Sequence, residues 1–480
     1  MLIRFFRWLF ARPSPKVAKT VASSAPSPSP PPTAFQALNQ QAPLRQQPAN
    51  PPPAESAQEE LSSAIASTIL CREAVLNRQQ KIAGYQFLLQ DATHAKIRSH
   101  SRRILHLYAE VLVDNLVRTN MATLLGSRLA FIELPDSFLT QPILGQLQAS
   151  NTVIIIRSTN DTPGAPSPEA LRAQVDTLRA QGYRIGIPDP VFSPPLAHLL
   201  PVVDVVCLRA PNLDAEKELR LVRYIIKQAP KATLLVRDLP GMEDFHFAFK
   251  LGASLFQGPF ITSREEWQPK NLGPNFARLS MLLAKLRQDA NTREIVELLK
   301  QDAAITVRLL RYINSAANGL PEHVSSIERA FVLLGRDPLY RWLTLLLCGS
   351  DRSQARSAAV LESALIRART MELSAINRPP SEREAMFLTG LLSLIDVILQ
   401  QPLDKALSSL AIAPEISAAI LENQGPYAAC LTLAKACESA DIEAIIFAAT
   451  LCGISPDQGA TWHMEALAWT LALQQSEGMN

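Results

Sequence analysis

Six polar side chains stand at, or just after, the ends of short apolar runs between residues 129 and 257 of this 480-residue chain: Glu133, Arg157, Asp189, Arg209, Arg237 and Gln257. Brought together, they would offer two carboxylates, three guanidinium groups and one amide. Metal-dependent cleavage of a phosphodiester needs several carboxylates converging on one or two divalent cations. Three arginines in the same space repel such a cation, so the set predicts neither a metal site nor hydrolysis. Guanidinium forks suit an oxyanion instead, because their paired donors match phosphate geometry. The same arginines would also serve as solvated surface or as salt-bridge donors to a partner protein. No nucleophile motif competes with them: GxSxG, GxGxxG and the Walker loop are absent.

The runs that would position these residues lie at 129–134, 152–156, 184–187, 204–208, 233–236 and 254–256. They are short and rich in β-branched residues, and helical patterns at 167–181 and 215–227 lie between them. Strands alternating with helices predict a parallel sheet with right-handed crossovers. Six or more such units within residues 61–268 predict a closed βα barrel, with its chemistry at the C-terminal strand ends.

From residue 269 to 480 the pattern becomes helical. Asn291 with Glu294 resembles a capping box, and Ile295, Leu298 and Leu299 follow at helical spacing. Ile305, Leu309, Tyr312 and Ile313 make a second stripe, and Ile327, Ala330, Phe331 and Leu334 a third. Gly335 predicts a helix stop, and Asp337-Pro338 predicts a start with Pro338 at the first helical position. Residues 388–399 are apolar nearly all round apart from Asp396, which predicts one buried core helix. Asn314 and Ser315 are read as turn formers and Trp342 as a core or interdomain anchor. His323 is expected in solvent and His463 packed. No His-Asp dipeptide exists, so this half predicts no metal site.

Residues 1–60 precede both regions. They are rich in Pro, Ser, Ala and Gln and predict a disordered leader. Residues 1–10, from Met1 to Phe10, interleave Arg4 and Arg7 with Phe5, Phe6, Trp8 and Leu9, a pattern suited to weak contact with an anionic membrane. A tail docked on its own protein is the competing expectation. Six scattered cysteines without a CxxC predict a reduced chain with buried thiols, hence a cytoplasmic protein, peripheral to the inner membrane if residues 1–10 meet lipid. Net charge +3 gives no support to nucleic-acid binding. No run is long enough for a transmembrane helix. The join near residues 269–290 is short, so the two folded domains are expected to touch.

Residue order is more specific than period. Asp302, Leu309-Leu310, Asn314-Ser315-Ala316, Ala330-Phe331-Val332-Leu333-Leu334-Gly335 and Arg341-Trp342-Leu343 resemble the HDOD domain, a signalling relative of the HD phosphohydrolases. The later block Phe387-Leu388-Thr389-Gly390-Leu391-Leu392-Ser393-Leu394-Ile395-Asp396 resembles it as well. Where the HD ligands would fall, at 361–372, there are Arg367 and Arg369 and no histidine. The first half resembles the EAL domain, a barrel that hydrolyses cyclic di-GMP. Cys71-Arg72-Glu73-Ala74-Val75-Leu76 and Gly84-Tyr85-Gln86-Phe87-Leu88-Leu89 resemble its opening, and 252–258 its closing strand. Against that family, Gln86 stands for the signature acid, Glu133 for an asparagine and Ile155 for a glutamate. Cys207 stands for a lysine, Arg209 for an aspartate and Arg237 for a glutamate, while Asp189 and Gln257 are kept. The resemblance implies a degenerate EAL-like barrel joined to an HDOD domain. The expected protein is a non-enzymatic bacterial signalling scaffold acting through protein–protein contacts in a cyclic-dinucleotide network, without cofactor or metal. The alternative is a receptor that holds cyclic di-GMP or another nucleotide at Arg157, Asp189, Arg209, Arg237 and Gln257 without cleaving it.

Overall fold

A computed structural model describes residues 68–91, 102–119, 125–158, 165–189, 193–210, 215–268, 272–288, 290–314, 323–349, 355–410 and 412–478. The expected leader and its membrane contact at residues 1–10 lie outside the described residues, as do Ser315 and Ala316. Eight strands close into a barrel in sequence order: β1 (Thr68–Asn77), β2 (Ile82–Asp91), β3 (Leu129–Pro135), β4 (Thr152–Arg157), β5 (Arg184–Pro188), β6 (Val205–Arg209), β7 (Thr233–Arg237) and β8 (Leu255–Gln257). β3 to β8 match the apolar runs to within about one residue at each end. Helices α1 (Arg102–Arg118), α2 (Pro168–Ala180), α3 (Ala215–Gln228) and α4 (Met242–Lys250) alternate with the strands. Ser167 caps α2 by accepting from the Ala170 amide at 3.2 Å, with Pro168 in the first turn.

The expectation of a parallel sheet fails at one strand. β1 runs antiparallel to both β2 and β8, and the remaining pairs are parallel. The reason is local. A tight turn joins β1 to β2, where Asn77 Oδ1 accepts from the amides of Gln79 and Lys81 at 3.0 Å, and only antiparallel strands can be joined so briefly. The lumen is filled by alternate strand residues, among them Val75, Phe131, Val153, Ile155, Val205 and Leu235. It is a packed core rather than a pore.

The second half is helical: α5 (Gly273–Arg287), α6 (Thr292–Lys300), α7 (Ala303–Ile313), α8 (Ile327–Leu334), α9 (Arg336–Cys348), α10 (Ala355–Ser374), α11 (Pro380–Leu392), α12 (Ile395–Leu399), α13 (Leu403–Ser408), α14 (Pro414–Leu421), α15 (Ala428–Ser439), α16 (Ile442–Cys452) and α17 (Pro456–Gly478). Asn291 caps α6 by accepting from the Arg293 amide. Glu294 does not complete the box; its carboxylate pairs with Lys285 at 2.5 Å. Arg336 opens α9, so Pro338 sits inside its first turn rather than at the first position. Asn314 is structural: it accepts from the Val324 amide at 2.6 Å and donates to the carbonyls of Leu310 and Val324, tying the end of α7 to the approach of α8. Trp342 is fully buried and stacks on Tyr312.

The apolar stretch at 388–399 is buried but is not one helix. It breaks between α11 and α12 at Ser393-Leu394. Gly390 explains part of that block: a Cβ there would lie 2.5 Å from the Ala368 Cα, so only glycine lets α11 press against α10. Asp396 is buried and pairs at 2.7 Å with Arg264, which comes from the end of the barrel region. All six cysteines are free thiols. The Sγ atoms of Cys430 and Cys452 nevertheless lie 3.8 Å apart, a proximity that their spacing did not announce. Among the described residues no helix is long and apolar enough to cross a membrane.

The two regions share a wall. Ala359 and Ile366 of α10, and Ala466, Leu467 and Leu471 of α17, join the same apolar cluster as Leu76, Tyr85 and Phe87 on the outside of the barrel. Glu362 of α10 is almost fully buried in this contact. It accepts from Arg128 at 2.6 and 2.9 Å and from the Tyr85 hydroxyl. Arg356 reaches back to the carbonyls of Phe260 and Ser263 and pairs with Glu265. Removing one partner of a buried pair strands the other charge, at about 3–5 kcal/mol. Glu362→Ala should therefore lower the urea midpoint of the full chain strongly. Arg172→Ala, from an exposed pair, should change the unfolding free energy by less than about 1 kcal/mol. Equal midpoints for Glu362→Ala and the parent would contradict this role.

Candidate functional site

The C-terminal strand ends open into one cavity of about 370 Å³, lined by Glu133, Arg157, Asp189, Cys207, Arg209 and Arg237 with their neighbours. Five of the six residues singled out in the sequence therefore meet there. The sixth, Gln257, is fully buried and is not among the residues that line the cavity. Lumen-facing positions on β3, β7, β8 and β1 carry a continuous polar chain. Arg237 Nη1 pairs with Glu133, and Arg237 Nε donates to Gln257 Oε1 at 3.1 Å. Gln257 Nε2 in turn donates to Glu73. Gln257 thus belongs to a buried polar network, and Arg237 both joins that network and lines the cavity. A strand end shows which residue is there, but not whether a neighbouring strand supplies its partner.

Arg157 and Arg209 remain exposed at the mouth. Arg209 lies 3.5 Å from Asp238 in a solvated pair, which contributes little. Asp189 is buried at the cavity edge. Burial pushes the Glu133 pKa up, but Arg237, Arg157 and Arg209 outweigh it and hold this carboxyl below its ordinary range. Glu73 behaves oppositely. Burial raises it to about 7; Arg237 opposes the rise, and Asp238 and Glu133 add to it. Burial also pushes the Cys207 thiol up to about 12, so it carries no thiolate at neutral pH.

Glu73 was missed as a site residue. Its signal was an acid inside an otherwise apolar strand, but the register of β1 against β8 is needed to place it beside Gln257. Gln86 pairs with Glu73 across β1 and β2, is buried, and leaves its Oε1 without a hydrogen-bond partner.

The carboxylates lining this cavity are Glu133 and Asp189, and the first is already taken by a guanidinium. A divalent cation here would sit against Arg237, so the residues present do not fit one. Among the described residues no group of three or more His, Cys, Asp or Glu side chains is arranged to hold a metal ion. In the helical region His323 is exposed. His463 is buried beside Arg72 and Arg367. Burial, and then those cations, hold its pKa well below the ordinary value. The 361–372 stretch is given to structure: Arg367 binds Glu438 and Ser393, and Glu372 binds Arg341 and Arg369.

Residues 274–416 match the family model of the HDOD domain. The cyclic di-GMP phosphodiesterase CdgJ of Vibrio cholerae is 24% identical over 381 residues, covering 79% of this chain and 87% of that protein. The uncharacterized protein YuxH of Bacillus subtilis is 22% identical over 381 residues, covering 77% and 90%. Among solved structures, the Bacillus subtilis YkuI protein, which has an EAL domain and is in complex with cyclic di-GMP and calcium, is similar at 15% identity. Its TM-score is 0.36, over 57% of this chain and 73% of that one. The HDOD match and the two long alignments agree with a barrel followed by helices, the EAL–HDOD architecture expected from the sequence.

The Glu73 shift makes stability depend on pH. Its folded pKa of about 7 lies above the ordinary 4.5, so folding takes up a proton between these values. The contribution is fully present below about 4.5 and is lost as pH rises through about 7. Glu73→Gln keeps an acceptor for Gln257 and cannot ionise. Thermal unfolding should show the variant gaining on the parent from pH 4.5 to pH 8. A difference independent of pH would contradict the assignment.

Proposed function

We propose that this chain, which joins an EAL-type barrel to an HDOD domain, is a non-hydrolysing signalling protein. It works through protein contacts in a network that uses cyclic di-GMP. The observation that carries this reading is the Arg237–Glu133 pair at the cavity floor. Hydrolysis of a phosphodiester by a metal-dependent barrel needs carboxylates free to hold a cation and to activate water. Here a cation belonging to the chain itself neutralises Glu133, and the Cys207 thiol is no base at neutral pH. CdgJ is named a phosphodiesterase, which makes hydrolysis the competing expectation.

A second reading rests on Arg157 and Arg209, exposed on one cavity large enough for part of a nucleotide. Guanidinium groups there suit a phosphate, and retention without turnover would make the barrel a receptor. This version keeps the non-hydrolysing claim and adds a ligand.

Two measurements separate the readings. Incubating the purified full chain with cyclic di-GMP and magnesium or manganese should yield no linear product. Product that disappears in Glu133→Gln would overturn the non-hydrolysing reading. Calorimetric titration with cyclic di-GMP addresses the receptor version: Arg157→Ala/Arg209→Ala should weaken any binding by at least about tenfold, or about 1.4 kcal/mol. Equal affinity in parent and double variant would remove the arginines from the site.

A further inference from the structure

The outer face of α16 carries an apolar surface that nothing in the described residues covers. Phe447 is 63% exposed and Leu451 55%, one helical turn apart. The opposite face, Ile442, Ile445, Ala448 and Ala449, is buried against Ile69 of β1 and against α15. Acidic residues frame the exposed face: Asp441, Glu443 and Asp457 are all exposed. From residue 436 to the end of the sequence there is no Lys or Arg, while Glu438, Asp441, Glu443, Asp457, Glu465 and Glu477 are acidic.

One segment of this chain has the complementary chemistry. Residues 1–10 carry Arg4 and Arg7 among Leu2, Ile3, Phe5, Phe6, Trp8, Leu9 and Phe10, and no acid occurs before Glu55. The place where the described chain begins matters equally. Thr68 opens β1, and the next residue, Ile69, already packs against α16. The described chain therefore begins beside this helix. The 57 residues from 11 to 67 span up to roughly 190 Å when extended, so reach is no obstacle.

Charge distinguishes this face from the exposed apolar positions on α3. Leu219 and Ile226 on α3 lie near Arg220, Arg223 and Lys227 in sequence. Those surroundings repel a basic segment. We propose that residues 1–10 dock on the outer face of α16, with their aromatic side chains on Phe447 and Leu451 and with Arg4 and Arg7 toward Glu443 and its acidic neighbours. Docking covers the apolar surface and places the segment on the helix that packs against the start of β1. The attraction is intramolecular, so even a weak contact is populated at the high effective concentration a tether provides.

The test keeps the full chain and replaces Phe6 by the photo-crosslinker p-benzoylphenylalanine. The expected product is an intrachain crosslink mapping to residues 443–457. Phe447→Glu/Leu451→Glu should cut its yield by roughly tenfold, and Arg4→Glu/Arg7→Glu should do the same from the other side. All four positions lie outside the described core, so loss of fold, checked by circular dichroism, is not the expected cause. Crosslinks to other surfaces, covalent dimers, no crosslink, or a yield unmoved by both variants would overturn the proposal. Adducts formed only with phosphatidylglycerol vesicles, and none with α16 in their absence, would overturn it in favour of a membrane.

Discussion

Glu362, with Arg356 and Asp396, ties the barrel to the helices. Glu362 is buried, and it is bearable there because Arg128 supplies two donors and Tyr85 a third. Around it the outer faces of Leu76, Tyr85 and Phe87 need an apolar cover, and α10 and α17 provide it. The helical region therefore completes the barrel wall instead of hanging from it. β1, held from outside by this contact, presents Glu73 to the lumen.

Inside the mouth, charge is arranged to cancel. Arg237 neutralises Glu133 and orders Gln257, and Gln257 satisfies Glu73. The two acids reach opposite protonation behaviour in one network. Glu133 faces three guanidinium groups and stays ionised, whereas desolvation dominates at Glu73, which holds its proton to about pH 7. Within this network each of the two carboxylates has a partner from the chain itself. Arg157 and Arg209, left exposed above it, are the groups with capacity to meet something else.

Much of this was legible in the residue order. Runs such as 152–156 and 233–236 are buried on both faces, so continuous β-branched sequence marks them. β1 and β2 were not marked by pattern, because Glu73 and Gln86 put polar groups at lumen positions and break the apolar run. The strand ends named Glu133, Arg157, Asp189, Arg209 and Arg237 as neighbours, and they are. The pairing of Arg237 with Glu133, the depth of Gln257 and the part played by Glu73 depend on side chains from different strands, which no local pattern encodes. The break of 388–399 at Ser393 follows from packing rather than hydropathy: Ser393 takes Arg367, and Asp396 takes Arg264. Arg128 and Glu362 are far apart in sequence, and only the fold joins them.

The most direct test of the mouth's chemistry is manganese binding, read by electron paramagnetic resonance on the full chain with cyclic di-GMP present. With Arg237 seated against Glu133, the expected spectrum is that of free manganese, unchanged between the parent and Glu133→Gln. A bound manganese signal in the parent that is lost in Glu133→Gln would contradict it, and would mean that Arg237 yields the carboxylate to a metal.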